Sequence, residues 1–261
     1  MTVLSVNLNK IALLRNSREG QRPSVIEFAQ LAIAAGAKGI TVHPRPDQRH
    51  IRATDVPELA TMLRRDHPEI EFNIEGNPQA AANSDGYPGF IELIRAAKPA
   101  QATLVPDSDD QLTSDHGWDL SVAQPQLSAD IVQCKSAGAR VSLFMDPVVE
   151  QMAAAAEHGA DRVEFYTGPY AHLYWQYGQD DPRTQASYRA FAEAAEAALK
   201  VGLGINAGHD LDQQNLPLFA NLPGLAEVSI GHAIICEALN DGFSKTIAAY
   251  VSILNNTTRG N

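Results

Sequence analysis

Residues 34–43, AAGAKGITVH, decide the fold. A small-residue helix end runs into Gly36, and a short β-branched strand follows within three residues. Three later stretches repeat the unit: SAGARVSLF at 136–144, EHGADRVEF at 157–165 and LKVGLGINAG at 199–208. Glycine just past a helix adopts the left-handed conformation that ends it. A helix–glycine–strand unit repeated without a break in composition belongs to an alternating α/β chain. Extending the same reading outward gives strands at Val3–Asn7, Gly39–His43, Glu71–Glu75, Ala102–Val105, Arg140–Met145, Arg162–Tyr166, Gly202–Asn206 and Glu227–Gly231. Most of them read as nearly continuous apolar runs, the pattern of parallel strands covered by helices.

Helices fall between the strands, at Ser24–Ala35, Asp55–Arg65 (with Thr54 as N-cap), Gly89–Ala97, Ser128–Ala137, Val148–Glu157, Thr184–Lys200, Ile234–Leu239 and Phe243–Leu254. Asn77–Pro88 and Pro106–Gln126 read as loops or short extra helices. Eight strands in 261 residues imply one α/β domain over residues 1–261, a (β/α)8 or TIM barrel with short extra helices. An open doubly wound sheet is the alternative. No Gly-x-Gly-x-x-Gly follows the first strand, which counts against a dinucleotide-binding version of it.

The formal net charge is −11. An acidic surface repels nucleic acid and anionic membrane, so neither is an expected partner. Phosphorylated ligands would need local capture by backbone N–H groups, helix N-termini and individual Arg or His side chains. Lys10 interrupts the first apolar residues too early for a secretory signal, and no run approaches the ~20 apolar residues of a membrane span. A cytoplasmic location is therefore expected. Cys134 and Cys236 form no CxxC pair and read as two buried thiols.

In a barrel, the residues at the C-terminal ends of the strands form the active site. Those positions here are polar: Asn7, Asn9 and Lys10 after the first strand, His43, Arg45 and His50 after the second, and Glu75 ending the third. Glu164 lies near the end of the sixth, His209 and Asp210 after the seventh, and Gly231 and His232 after the eighth. Gly208 and Gly231 read as loop glycines that let backbone N–H groups approach a phosphate, with a helix from about Ala233 aiming its positive end there. Glu75 sits in the apolar stretch IEFNIEG, where burial would raise its pKa into the range of a proton shuttle. Either Arg15 or Arg18 could clamp a phosphate. Neither HxH nor HExxH spacing is present, so no metal site is expected.

These residues carry a resemblance. VNLNKIALLRNSR (6–18), GITVHPRPDQRHI (39–51), FNIEG (72–76), VSLFMD (141–146), VEFYTGPYA (163–171), INAGHDL (205–211) and IGHAII (230–235) resemble, in order, the motifs of the pyridoxine 5′-phosphate synthase family. That family joins 3-amino-2-oxopropyl phosphate to 1-deoxy-D-xylulose 5-phosphate through a Schiff base, releasing phosphate and water. The resemblance implies proton acceptors at His43 and Glu75, a proton donor at His209 and a transition-state stabiliser at Glu164. It matches Asn7, Arg18, Gly231 and His232 to the aminoketone phosphate, and Arg45, His50 and Thr113 to the deoxyxylulose phosphate. It implies no redox cofactor or metal, and a homo-octamer built from dimers.

Two departures stand out. The family's Asp-His pair is Asn9-Lys10 here, and its glycine after the histidine is Asp210. A mobile loop over the barrel mouth is expected to keep water from the imine, with Asp107–Asp119 and its Thr113 as the candidate. Tyr170–Tyr177 reads as an interface, a lid or a buried loop. Competing readings are another sugar-phosphate isomerase or aldolase, for which Lys10 would be the Schiff-base lysine, and a non-catalytic phosphate-ligand binder. Four titratable groups at the mouth are more than a binder needs.

Overall fold

A computed structural model describes residues 1–108 and 110–257. In chain order they form β1 (Val3–Asn7), α1 (Asn9–Asn16), α2 (Val25–Ala34), β2 (Gly39–Val42), α3 (Asp55–Asp66), β3 (Glu71–Gly76), α4 (Phe90–Ala97), β4 (Gln101–Leu104), α5 (Leu127–Ser136), β5 (Arg140–Met145), α6 (Met152–Glu157), β6 (Arg162–Tyr166), α7 (Gly168–Tyr177), α8 (Pro182–Lys200), β7 (Gly204–Gly208), α9 (Leu216–Phe219), β8 (Leu225–Ile230), α10 (His232–Asp241) and α11 (Phe243–Thr257). The strands pair in sequence order, all parallel, and β8 returns to β1 through Leu4↔Val228 and Val6↔Ile230. That pairing closes the barrel and removes the open-sheet alternative.

The strands alternate, contrary to the continuous apolar pattern expected from the sequence. Val6, Ile40, Ile74, Leu143, Val163, Ile205 and Val228 are buried against the helices. The residues between them, Ser5, Thr41, Asn73, Gln101, Thr103, Ser142, Glu164, Asn206 and Glu227, are also buried and polar, and all but Ser142 bond across the barrel interior. Ser5 and Thr41 hydroxyls pair at 2.7 Å, Thr103 Oγ1 donates to Asn73 Oδ1 at 3.1 Å, and Asn206 Nδ2 donates to Gln101 Oε1 at 3.2 Å. Near the N-terminal ends of the strands, Arg140 reaches Glu71 and Gln101, while Arg162 reaches Asn206 and Glu227. The period-2 signal of a half-polar sheet was present in the sequence, but β-branched Thr and small Gly and Ala blurred it.

The apolar core is therefore the layer between sheet and helices. Phe165, Tyr170, Phe191 and Phe219 pack there with ring centroids 5.1–5.8 Å apart for Tyr170–Phe219, Phe191–Phe219 and Phe165–Phe191. Burying each such ring contributes on the order of 2–3 kcal/mol. Tyr170 also donates to Asn215 O at 2.8 Å, so α7 is anchored on one side, while Trp175 on the same helix is 72% exposed.

The extra helices are α1, α7 and α10, following β1, β6 and β8; among the described residues neither 77–88 nor 106–126 contains a helix. Ser24 caps α2 by accepting from Glu27 N, whereas Thr54 makes no side-chain cap on α3. There Asp55 accepts from Arg52 N at 2.7 Å instead. Of the two cysteines Cys134 is buried, its thiol pushed up to about 12 by burial, but Cys236 is exposed on α10. No helix among the described residues is long and apolar enough to cross a membrane.

Candidate active site

The strand ends converge on one polar mouth. Asn7 closes β1 and donates through Nδ2 to Glu75 Oε2 at 3.2 Å, while Ser229 on β8 donates to Glu75 Oε1 at 3.3 Å. His43 follows β2 and sets Nδ1 3.9 Å from Glu75 Oε2. Glu164, on β6, holds Oε2 3.3 Å from the Thr103 hydroxyl. Asn9 opens α1 and spends its side-chain oxygen on His43 N at 2.9 Å, which fixes the chain where β2 ends. The amide at position 9 thus has a backbone role. Lys10 sits half-buried in the first turn of α1, close enough for its charge to act on His50 and Asp210.

Electrostatics follow from burial. Desolvation pushes the Glu75 carboxyl well above the usual carboxylate range, with the charges of Glu227 and Asp107 adding to it. Glu164 is raised for the same reason, and Glu75 and Glu227 add their charge. Glu227 is pushed up to about 7 by burial, against the pull of Arg162. His43 is held well below its ordinary value by burial and then by Arg45, His50 and Arg49, so its imidazole is neutral. Burial, with Arg45, Lys10 and Arg49, lowers His50 to about 3. His50 Nδ1 accepts from Ile51 N at 2.9 Å, which leaves the proton on Nε2.

These shifts set a pH dependence of stability. These three glutamate carboxyls hold protons that an unfolded chain releases above about pH 4.5. Their contribution is full below that pH and is lost as pH rises through the folded values. The buried histidines act oppositely, costing stability below about pH 6.5. Above pH 6.5 that term is flat and the carboxyls set the slope. The unfolding free energy from urea titration is expected to fall from pH 6.5 to 8.5, by on the order of 1 kcal/mol per carboxyl, and the urea midpoint with it, and Glu227→Gln to flatten part of the fall. A midpoint that rises over that range would mean the carboxyls are already ionised in the fold.

Asp107, which ends the segment after β4, is buried and was not singled out in the sequence. It pairs with Arg45, accepts from Ser114 Oγ at 2.8 Å, and lies 3.9 Å from His43 Nε2. The signal for it in the sequence is an acid two residues past the strand run Ala102–Val105. Arg45 and Arg49 also donate to Gln111 O, each at 2.9 Å, and Thr113 Oγ1 meets His209 Nε2 at 2.9 Å. The segment from Asp107 to Trp118 therefore lies across the mouth, tied at both sides; position 109 within it is outside the described residues. His209 also stacks edge-on against Tyr166, centroids 5.3 Å apart.

Gly208 ends β7 instead of lying in a loop. A Cβ there would stand 2.6 Å from Glu164 Oε1 and 2.9 Å from Ser229 O, so glycine clears space for the Glu164 carboxyl. Gly231 is the N-cap of α10, which begins at His232, and packs against Asn7 closely enough that a Cβ would meet Asn7 O at 3.0 Å. His232 is exposed, with Nε2 3.4 Å from Cys236 Sγ, and with Asp210 and Trp175 it lines a side cavity of about 420 Å³ between α7 and α10. Of the two arginines considered as phosphate clamps, Arg15 is spent internally: it is buried and forked onto Asp55 at 2.6 and 2.9 Å. Arg18 sits exposed in the turn after α1. Among the described residues no group of three His, Cys, Asp or Glu is placed to hold a metal ion.

Known proteins match this chain in fold and in family. Solved structures with the same fold include phosphoribosyl anthranilate isomerase from Thermus thermophilus, with TM-score 0.57 and 14% identity over 98% of this chain and 99% of that one. The Amycolatopsis orientalis BexX/CysO complex also matches, with TM-score 0.57 and 14% identity over 100% of this chain and 93% of that one. At such identity they speak for the barrel alone. Sequence relatives are far nearer. A protein of Xanthomonas oryzae pv. oryzae (strain PXO99A) named pyridoxine 5′-phosphate synthase is 56% identical over 260 residues, 99% of either chain. Its namesake in Xylella fastidiosa (strain M12) is 52% identical over 255 residues, 97% of this chain and 95% of that one. The family model described as pyridoxal phosphate biosynthesis protein PdxJ matches residues 4–256. By that match and those relatives, the chain belongs to the PdxJ family of pyridoxal phosphate biosynthesis proteins.

Proposed function

We propose that the chain is a pyridoxine 5′-phosphate synthase, a transferase-class enzyme that condenses 3-amino-2-oxopropyl phosphate with 1-deoxy-D-xylulose 5-phosphate to pyridoxine 5′-phosphate, phosphate and water by acid/base chemistry. The observation that carries the reading is the buried His43–Glu75 pair at 3.9 Å, on adjacent strands of a chain of this family. Neutral His43 offers a lone pair for a substrate proton. Glu75 is poised to take or return a proton near neutral pH. A protonated amine or iminium arriving beside Glu75 favours its carboxylate, so the substrate itself would switch on the base. Glu164, buried behind them, stabilises positive charge developing in the ring-closing steps, and His209 returns protons to departing oxygens.

Asn7, Arg18, Gly231, His232 and the Asp210 backbone hold the aminoketone phosphate in this reading, and Asn9, Lys10, Arg45, His50 and Thr113 serve the second substrate. Arg45 is bound to Asp107, so a deoxyxylulose phosphate that takes Arg45 would have to displace that carboxylate. Burial raises the Asp107 pKa, and a protonated Asp107 would release Arg45 readily. The aldolase alternative gains nothing here, since Lys10 is only half-buried and beside Asp210.

The test is phosphate release by purified protein with each substrate omitted in turn. Release that needs both, accompanied by pyridoxine 5′-phosphate absorbance, is the expected result, and chelators should leave the rate unchanged. Release from one substrate alone would point to a different sugar-phosphate enzyme. A rate abolished by EDTA and restored by zinc would overturn the metal-free mechanism. The same reading places the protein in the cytoplasm as a homo-octamer built from dimers, a mass that light scattering reads directly.

A further inference from the structure

His209 and Asp210 are consecutive non-glycine residues with positive φ, +83° and +55°. Such backbone is costly and persists where its surroundings fix it. The Thr167 hydroxyl, with one proton to give, sits within hydrogen-bond reach of both Gly208 O and His209 O, and Asn215 Nδ2 donates to Asp210 O at 3.1 Å. Asn215 is itself locked to Asp212 through Asp212 N and Oδ1. The distortion brings Asp210 Oδ2 to 2.9 Å from His209 Nδ1. A carboxylate can only accept, so Nδ1 carries the proton. On the other side of the ring, Nε2 meets the Thr113 hydroxyl at 2.9 Å.

We propose that Asp210 is a positioning residue for His209, fixing the imidazole with its proton on Nδ1 and leaving Nε2, beside Thr113, as the nitrogen that exchanges the catalytic proton. The proposal rests on the synthase reading for the identity of that proton transfer, but the pairing is testable without it. Family likeness puts glycine at position 210, where a carboxylate beside a phosphate would repel it. Engagement with His209 occupies that charge, and the same hydrogen bond holds the Asp210 carboxyl below its usual range. The other groups around the pair are Tyr166 from β6, Thr113 from the segment across the mouth, and Lys10 and His232, whose charges act on Asp210.

Asp210→Gly and Asp210→Asn separate the possibilities. Glycine suits φ +55°, so its variant should fold at least as well as the parent. Asparagine keeps an acceptor for Nδ1–H without the charge. Nitrogen-15 NMR of the unliganded proteins, read at a pH where the imidazole is neutral and assigned with His209→Gln, should show Nδ1–H in the parent and the Asn variant. In the Gly variant the proton should move to Nε2, the form an unconstrained histidine prefers. Turnover should follow: kcat down about 10- to 100-fold in the Gly variant, with KM for both substrates within about twofold, and largely recovered with Asn. An Nε2–H imidazole in the parent, or a tautomer indifferent to the Gly substitution, would overturn the proposal. So would unchanged kcat with a raised KM for 3-amino-2-oxopropyl phosphate, which would make Asp210 a substrate contact. Absence of turnover in the parent protein would count against the synthase reading, and the imidazole spectrum would still decide the pairing.

Discussion

Glu75→Gln is expected to leave a folded protein whose turnover is reduced by about 10²–10⁴-fold or more. Glutamine keeps the shape and an oxygen that can accept from Asn7 or Ser229, but it has no proton to trade. The variant also removes one of three crowded buried carboxyls, so its thermal midpoint should hold or rise. Circular dichroism and a melting curve, run beside the phosphate-release assay, separate the two effects. Full activity in a folded Glu75→Gln protein would remove the residue from the mechanism and shift the base to His43 alone.

The second large effect concerns stability. Arg15→Ala is expected to cost about 3–5 kcal/mol, because it strands the buried Asp55 carboxylate without its partner. For a chain of this size that is a fall in midpoint of roughly 10 °C. The damage should reach the mouth, since Arg15 Nη2 also donates to His50 O at 3.1 Å, beside Asn16, whose Nδ2 donates to His50 O at 2.7 Å. Arg18→Ala, at an exposed position, should leave stability within about 0.5 kcal/mol and raise KM for the aminoketone phosphate. Equal stability losses in the two variants would mean that the ion pair contributes little.

These two arginines show where the sequence is legible and where it stops. Three residues apart in one polar motif, they are indistinguishable by type; only the position of Asp55, forty residues on, tells them apart. The strands were readable because β-branched runs punctuated by glycine are local features, and β1, β5 and β6 lie where the sequence puts them. The direction of the side chains was not, since a strand such as RVEFY looks apolar until the barrel turns Arg162 and Glu164 inward. Helix α7 was missed although Gly-Pro at 168–169 opens it and Gly178, at φ +84°, ends it, both ordinary boundary signals. Tyr170–Tyr177 drew attention as aromatics, and its two sides divide between core and solvent. The strand-end rule found His43, Glu75, Glu164 and His209 because it needs only position along each strand. It found neither Asp107, hidden in a long loop, nor the meaning of Gly208, which depends on the carboxylate of the neighbouring strand.

The pairing of β8 with β1 has a temporal consequence. Residues 3–6 find their partners at 227–230, so during synthesis the ring stays open until nearly nine-tenths of the chain has emerged. Until then Glu75, Glu164 and Glu227 stand in water with ordinary acidity. Closing the last seam withdraws all three from solvent together, and near neutral pH the nascent chain must take up protons as it seals. Refolding in a weakly buffered indicator dye would time ring closure by the alkalinity it leaves behind.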